Sequence, residues 1–195
     1  MKNLTSTFKK YYSRKLPSVS FDVDGVLKKG NNQIPRSREA IINLKKRGVP
    51  VSLITNGGGE LESVRGNKIS EILKLEEKYK FKEKEVFLCH TPMKDLISQY
   101  KDKFILITGI NRCDEVIESY GFSKYMTIFE YFSIFDQIVP LYSFISSQEQ
   151  KNTIKQKVES RLGVNLNNHD LPQVHAIFIM TDVVNWEINA QVITY

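Results

Sequence analysis

The sequence predicts an α/β protein whose core is a parallel, doubly wound sheet. Short apolar runs at residues 19–23, 49–54 and 85–89 alternate with longer segments in which apolar residues recur at helical spacing. Chains with this β-loop-α-β order fold with right-handed crossovers, which pack helices against a parallel sheet. The first two runs end in acidic or hydroxyl side chains, so a functional site is expected at the carboxyl edge of the sheet.

The elements of the first half follow from local signals. Pro35 fits the start of a helix, and Gly48 fits the position just past its end. Residues 60–80 combine many charges with apolar residues at near-helical spacing, which predicts one long helix with a solvated face. In chain order we predict a buried parallel strand at 19–23, a loop at 28–35 that could fold over the site, a helix from 35, a strand at 49–54, a helix at 60–80 and a strand at 85–89.

A second β-α rhythm begins at Met93. The aromatic stretch at 129–144 has no catalytic pattern, and we expect it to pack as core or as an interface. The remaining expected elements are a helix from 93, a strand at 104–108, a helix ending at Gly121, a short strand near 125–128, a helix at 148–162 ended by Gly163, a polar loop at 165–171, a strand at 175–180 and a helix at 186–193.

Composition indicates an ordinary soluble globular protein. The 195 residues are 41% hydrophobic, and no apolar run approaches the length needed to span a bilayer. Cys89 and Cys113 form no metal-binding or redox spacing, so we expect a reducing compartment and two small buried hydrophobic side chains.

The formal charge of +6 is concentrated at the N-terminus. Five of the 28 basic residues lie in residues 1–18, which contain no acidic residue. The other 23 basic residues are nearly balanced by the 22 acidic residues, so the rest of the chain is close to neutral. No basic stripe with interleaved aromatics remains, so nucleic acid is not an expected partner. The basic, hydroxyl-containing arm fits a mitochondrial presequence, and a disordered basic tail without an address is the alternative.

Asp22 and Asp24 stand one residue apart at the end of the first predicted strand, before Gly25. Residues i and i+2 of a strand share a face, so both carboxylates would leave the sheet on one side. Close carboxylates repel unless a cation lies beside them or one keeps a proton, and magnesium suits oxygen ligands. An ordinary acidic turn remains the alternative, whereas an EF-hand is excluded because Leu27 and Gln33 occupy its glycine and glutamate positions.

The second predicted strand is followed by Thr55, Asn56 and the glycines 57–59. The glycine run lacks the Gly-Lys-Ser/Thr ending of a P-loop. It also fails as a dinucleotide-binding fingerprint, because Glu62 stands at the position of the third glycine. A flexible strand-to-helix turn remains open beside a phosphoryl-binding loop that uses the Thr55 hydroxyl and backbone N–H groups. Its place one β-α-β unit after the acidic pair favours the binding loop. His90, at the end of the third strand, could reach a substrate, but such a lone histidine is more often structural.

These motifs together resemble the haloacid dehalogenase (HAD) superfamily of hydrolases, in the subclass with a large α/β cap, and most closely the mitochondrial cat eye syndrome critical region protein 5-like family. The segments that carry the resemblance are Phe21-Asp22-Val23-Asp24-Gly25-Val26-Leu27, the flap-like 30–35, Leu53-Ile54-Thr55-Asn56-Gly57-Gly58, His90-Thr91-Pro92-Met93 and Val184-Asn185-Trp186-Glu187. The resemblance implies an arm at 1–18, a partial HAD-like (Rossmannoid) core at 19–92 and the first half of an inserted α/β cap at 93–195.

The resemblance also implies a chemistry. Asp22 would be the nucleophile that takes a phosphoryl group from a small phosphorylated substrate, and Asp24 would move protons. Both residues would hold magnesium, Asp24 partly through its main chain. Thr55, with Asn56 and Gly57, would bind the phosphoryl oxygens.

One departure from the family leaves two functions open. The lysine and the second acidic pair of the family come from core segments after the cap, and no segment after Met180 resembles them. We therefore expect the N-terminal half of a magnesium-dependent phosphatase, or alternatively a catalytically silent structural or assembly protein of a mitochondrial complex. A second copy of the chain or a larger complex could cover the sheet edge that such a partial core exposes.

Overall fold

The computed structural model describes residues 17–140, 147–166 and 173–194, which divide into two compact units. The first unit comprises the described residues up to 55 together with 62–87, and the second comprises 56–61 together with the described residues from 88 onward. Most of the predicted arm at 1–18 and most of the predicted loop at 165–171 lie outside the described residues. In the described ranges, no helix has both the length and the apolar character needed to cross a bilayer.

Residues 17–88 alternate short strands with helices, as the β-α pattern predicts. The elements are β1 (Val19–Phe21), β2 (Lys28–Lys29), β3 (Asn32–Gln33), α1 (Ser37–Lys46), β4 (Val51–Thr55), α2 (Glu62–Ile72) and β5 (Val86–Leu88), with 3₁₀ turns at Glu77–Tyr79 and Glu83–Glu85.

The sheet that carries the acidic motif has the strand order β1-β4-β5. β1 and β4 are parallel, and the register pairs Val19 with Val51 and Phe21 with Leu53. Leu53 is fully buried, so β4 is a core strand. β1 is parallel as predicted but it is not buried: its side chains are half-buried or exposed, because it lies at the edge of the described sheet.

The loop predicted at 28–35 contains regular structure. β2 and β3 pair antiparallel as a short hairpin, with Lys28 opposite Gln33 and Lys29 opposite Asn32. Gly30 has φ of 59° in the connecting turn, a conformation that glycine adopts without steric cost.

The long helix predicted at 60–80 ends at Ile72. Lys74 has φ of 50°, and the chain reverses there. Leu73 and Leu75 are both buried, at 0% and 6% exposure. Residues two apart on a helix face different directions, so a continuing helix would have left one of these leucines outside the core.

The second unit carries its own parallel sheet in the order β7-β6-β8. Its elements are a 3₁₀ turn at Thr91–Leu96, α3 (Ile97–Tyr100), β6 (Ile105–Thr108), α4 (Cys113–Ser119), β7 (Tyr125–Thr127), α5 (Ile128–Ile134), a 3₁₀ turn at Asp136–Ile138, α6 (Gln148–Leu162), β8 (Ala176–Ile179) and α7 (Trp186–Thr194). The fold class, α/β with parallel sheets, is confirmed.

Helices cover both faces of this second sheet. Leu106 on β6 packs into a cluster with residues of α5, α6 and α7, including Tyr131 and Val158. Its neighbours Ile105 and Ile107 point to the opposite cluster, which contains residues of α4. This alternation along one strand is the signature of a sheet buried on both sides.

The aromatic stretch at 129–144 contributes core residues where the structure describes it, because Tyr131, Phe132 and Phe135 are buried. Residues 141–146 lie outside the described part. The prediction of two buried cysteines is correct for Cys113 and wrong for Cys89, which lies past the end of β5 and is exposed.

Candidate functional site

The two motif aspartates follow directly after β1. Asp22 and Asp24 are exposed, whereas Val23 between them is completely buried. The in-out alternation of the strand therefore continues past its last residue. This places both carboxylates toward solvent at the carboxyl end of β1.

A tight turn fixes the position of Asp24. The backbone N–H groups of Leu27 and Lys28 donate to the carbonyl of Val23, at 3.0 and 3.1 Å, and the N–H of Gly25 donates to the carbonyl of Lys28 at 2.7 Å. Gly25 has φ of 84°, which this turn requires and which side-chain-bearing residues adopt at a cost. Asp24 is thus positioned by the backbone hydrogen bonds of the turn that contains it.

Lys28 occupies the acidic site as well. Its ammonium group forms a salt bridge with the Asp24 carboxylate, and its side chain is 12% exposed against 58% for that of Asp24. The sequence pattern does not mark this lysine as part of the site, because it predicts a loop at 28–35. Its position four residues after Asp24 could have indicated the pairing, because a tight turn brings residues at this spacing into contact.

Thr55 ends β4, the strand beside β1. Because the two strands are parallel neighbours, their carboxyl ends lie at the same edge of the sheet. The Thr55 side chain is 6% exposed, so it sits at this edge as a buried hydroxyl while Asp22 and Asp24 are open to solvent.

Asn56 and Gly57 belong to the second unit, in the segment 56–61. Two glycines hold this segment against its neighbours: a Cβ on Gly58 would lie 2.7 Å from the sulfur of Cys89, and a Cβ on Gly59 would lie 2.3 Å from the carbonyl of Ile110. The glycine run therefore serves close packing, which a general turn assignment does not explain.

The chemistry of the donor set fits magnesium in part. Asp22 and Asp24 offer carboxylate oxygens, and magnesium is commonly held by one or two carboxylates, waters and substrate phosphate. Within the described ranges, no group of three or more His, Cys, Asp or Glu side chains could hold a metal ion. Lys28 already pairs with one of the two carboxylates and would compete with the ion for it.

His90 has a structural role, which is the more frequent role of a lone histidine at a strand end. It is completely buried, and its Nδ1 lies 2.7 Å from the hydroxyl of Tyr120. Burial on this scale removes His90 from solvent and from a substrate in solution.

The shifted pKa values of buried groups belong to packing in the second unit. Burial raises the pKa of the Cys113 thiol to about 11, so this sulfur is not an activated nucleophile. Burial alone would raise the pKa of Glu130, but hydrogen bonds from Arg161 and the Thr127 N–H, with the charges of Arg161 and Lys157, hold that pKa below its ordinary value. The Arg161 guanidinium donates two hydrogen bonds, of 2.7 and 3.0 Å, to the Glu130 carboxylate, and this pair links α6 to α5.

Residues 19–123 match the family model described as haloacid dehalogenase-like hydrolase. The matched range covers more than half of the chain and includes Asp22, Asp24 and Thr55. The chain belongs to the haloacid dehalogenase-like hydrolase family.

Two curated relatives are mitochondrial hydrolases by name. The chain is 34% identical over 127 residues to a cardiolipin synthase (CMP-forming)/mitochondrial hydrolase fusion protein of Schizosaccharomyces pombe, covering 61% of this chain and 21% of that protein. It is 34% identical over 105 residues to a mitochondrial hydrolase of Saccharomyces cerevisiae, covering 54% of this chain and 28% of that protein. The chain thus spans less than a third of the length of either relative.

A solved structure supports the fold. The crystal structure of a protein of Cytophaga hutchinsonii, described as a possible sugar phosphatase of the HAD superfamily, matches with a TM-score of 0.53 at 14% identity. The match covers 95% of this chain and 52% of that one. The resemblance to a HAD-like fold is therefore confirmed.

Proposed function

We propose that this chain carries the nucleophile and the phosphate-binding threonine of a magnesium-dependent phosphatase that acts through an aspartyl-phosphate on a small phosphorylated metabolite. The division into a core at 19–92 and a cap at 93–195 is part of this proposal. Membership of a hydrolase family supports the reaction class, and the phosphatase description of the fold relative agrees with it.

One observation carries the proposal. Two solvent-facing carboxylates follow β1, and a hydroxyl ends the parallel strand next to it, so acid and hydroxyl groups share one sheet edge. Open α/β sheets bind their ligands at this edge. Phosphoryl transfer requires positioning and charge neutralisation more than covalent chemistry from the protein.

The residues have distinct tasks in this reaction. A carboxylate oxygen of Asp22 attacks phosphorus and the bond to the leaving oxygen breaks, while Asp24 gives that oxygen a proton. Asp24 then takes a proton from water, which attacks the phosphorus, and phosphate leaves as the Asp22 carboxylate is restored. Thr55 would donate its hydroxyl hydrogen to a phosphoryl oxygen, with the N–H groups of Asn56 and Gly57 beside it. Bound magnesium would neutralise charge on the carboxylates and the phosphoryl oxygens.

We also propose a mitochondrial location. The names of the two curated relatives support it, and the basic, acid-free composition of residues 1–18 is consistent with it.

The alternative function is a catalytically silent structural or assembly protein of a mitochondrial complex. It is favoured by the absence, within the described residues, of a three-residue metal group and by the engagement of Asp24 with Lys28. A protein with this role would keep the fold and lose the ion.

The deciding experiment measures the full chain with beryllofluoride, which forms a stable mimic of a phosphorylated aspartate. We expect ¹⁹F NMR to show a magnesium-dependent adduct, together with hydrolysis of p-nitrophenyl phosphate. Asp22→Asn should abolish both, because the attacking oxygen is replaced by an amide. Asp95→Asn, an exposed aspartate in the second unit, is the matched control and should retain both. The resemblance places the family's lysine and second acidic pair after the cap, so a chain extended by those segments is measured beside this one. No adduct and no hydrolysis by either chain would support the silent protein instead.

A further inference from the structure

The second unit contains a cavity at the carboxyl edge of its sheet. The cavity has a volume of about 450 Å³ and is lined by residues that follow β6, β7 and β8. From the central strand β6 the chain passes first to β7 on one side and later to β8 on the other. Such a reversal of strand order opens a crevice at the strand ends, and this is where doubly wound sheets bind ligands.

The floor of the cavity is polar and ordered. Thr108 and Asn189 line it, are each 7% exposed, and bond to each other through the threonine hydroxyl and the amide oxygen. The Nδ2 of Asn189 donates to the carbonyl of Asn185 at 2.8 Å. The asparagine is thereby fixed in one orientation, and the oxygens of both side chains keep lone pairs that a ligand hydroxyl or amide N–H can reach.

The rim of the cavity is apolar and open. Ile110, Phe129 and Val184 line it and are 41%, 49% and 83% exposed. The ring of Phe129 is held edge-to-face against Phe132, with 5.3 Å between the ring centroids. A buried polar floor below an apolar rim is the usual construction of a small-molecule site, and the volume lies within the usual range of about 300–1,000 Å³.

The charge of the lining selects against anions. Asp114 is the single charged side chain among the described residues that line the cavity. At the start of α5, the hydroxyl of Thr127 accepts from the N–H of Glu130, and the Glu130 carboxylate accepts from the N–H of Thr127. The N–H groups of Thr127 and Glu130 are therefore satisfied within the chain. An anion entering the cavity would meet the Asp114 carboxylate, and no lysine or arginine among the described lining residues would balance that charge.

We propose that this cavity is a binding site for an uncharged, partly apolar small molecule that carries a hydroxyl or amide group. The described lining residues all belong to the second unit, whereas Asp22 and Asp24 belong to the first. The proposal does not depend on phosphatase activity, so it holds for either function of the chain.

The test compares two probes of the same shape, benzamide and benzoate, titrated into the ¹⁵N-labelled full chain. Benzamide should shift the backbone amide signals of Ile110, Asn111 and Val184 in a saturable way, and benzoate should bind at least fivefold more weakly. Asp114→Asn should narrow that difference, because it removes the repelling charge. Benzoate binding as tightly as benzamide, or shifts confined to other parts of the chain, would overturn the proposal.

Two variants test the rim. Phe129→Ala should weaken benzamide binding at least threefold, whereas Val164→Ala, at a residue that is 48% exposed and outside the cavity lining, should leave it unchanged. If Phe129→Ala disturbs the fold, Val184→Ala serves in its place, because that side chain is 83% exposed and adds little to the core. Unchanged benzamide affinity in a folded rim variant would contradict the proposed site.

Discussion

Replacing Lys28 by methionine should strengthen magnesium binding to this chain. Lys28 pairs with the Asp24 carboxylate, and in the proposed function Asp24 would help to hold magnesium. Methionine keeps most of the length and the apolar stem of the side chain and removes the charge. The substitution therefore releases Asp24 from its ion pair and also removes a positive charge that repels the incoming ion.

The size of the effect follows from the exposure of the pair. The Asp24 side chain is 58% exposed, so solvent screens the interaction, while the Lys28 side chain is only 12% exposed. Ion pairs at exposed sites contribute about 0.2–1 kcal/mol, and the largely buried lysine side chain places this pair near the upper end. A gain of about 1 kcal/mol corresponds to a roughly fivefold lower Kd for magnesium.

The assay is isothermal titration of the full chain with Mg²⁺ at low ionic strength, with Lys28→Arg as the matched variant that keeps the charge. A double-mutant cycle with Asp24→Asn tests whether the gain passes through that carboxylate, because Lys28→Met should then add little. A magnesium Kd that is unchanged or higher in Lys28→Met would refute the competition and assign Lys28 a purely structural role.

Three further predictions concern stability. Glu130→Gln should lower the free energy of unfolding by about 2–4 kcal/mol, because it leaves the Arg161 guanidinium buried without its carboxylate. Glu115→Gln, in the exposed pair with Arg112, should lower it by less than about 1 kcal/mol. Urea unfolding measures both changes. The pKa of Glu130 is lowered by folding, so its contribution is present above the ordinary value of 4.5 and is lost as the pH falls below it, and the gap between wild type and Glu130→Gln should close in that acid range. Gly58→Ala should cost about 1–3 kcal/mol, because the new methyl group would overlap its neighbours, and thermal unfolding monitored by circular dichroism should show a lower Tm.

Each of these predictions has a contradicting outcome. Equal losses for Glu130→Gln and Glu115→Gln would mean that burial does not set the strength of the ion pair. A gap that persists undiminished at acid pH would assign the effect to packing. A wild-type Tm in Gly58→Ala would show that the segment 56–61 adjusts without cost.

The sequence predicted those features whose signals are local. The helix at 148–162 was predicted with its observed bounds, because Ser147 and Gln150 form a capping box and Gly163 takes the left-handed conformation at its end. The strand ends that carry Asp22 and Thr55 were also predicted, since apolar runs that stop at polar residues mark the edge of a sheet.

The features that failed depend on contacts distant in sequence or on the precise path of a turn. The early end of α2 follows from the burial of both Leu73 and Leu75. The spacing of apolar residues in the sequence does not show that both leucines are buried. The pairing of Lys28 with Asp24 needs the turn that the backbone N–H groups of 25–28 close. The cavity in the second unit joins residues from three strand ends far apart in the chain, so its polar floor could not be recognised one segment at a time.

The close fit of Gly58 and Gly59 has a consequence for dissecting this protein into pieces. The segment that follows Thr55 rests on Cys89, Ile110 and Met180, all of which come later in the chain. A shortened polypeptide ending near residue 87 would keep both aspartates and the threonine but would strip this segment of its support. A measurement of phosphate binding to such a piece would therefore be made on a loop that has lost its packing partners. The conformation of the segment after Thr55 depends on residues that come later in the chain.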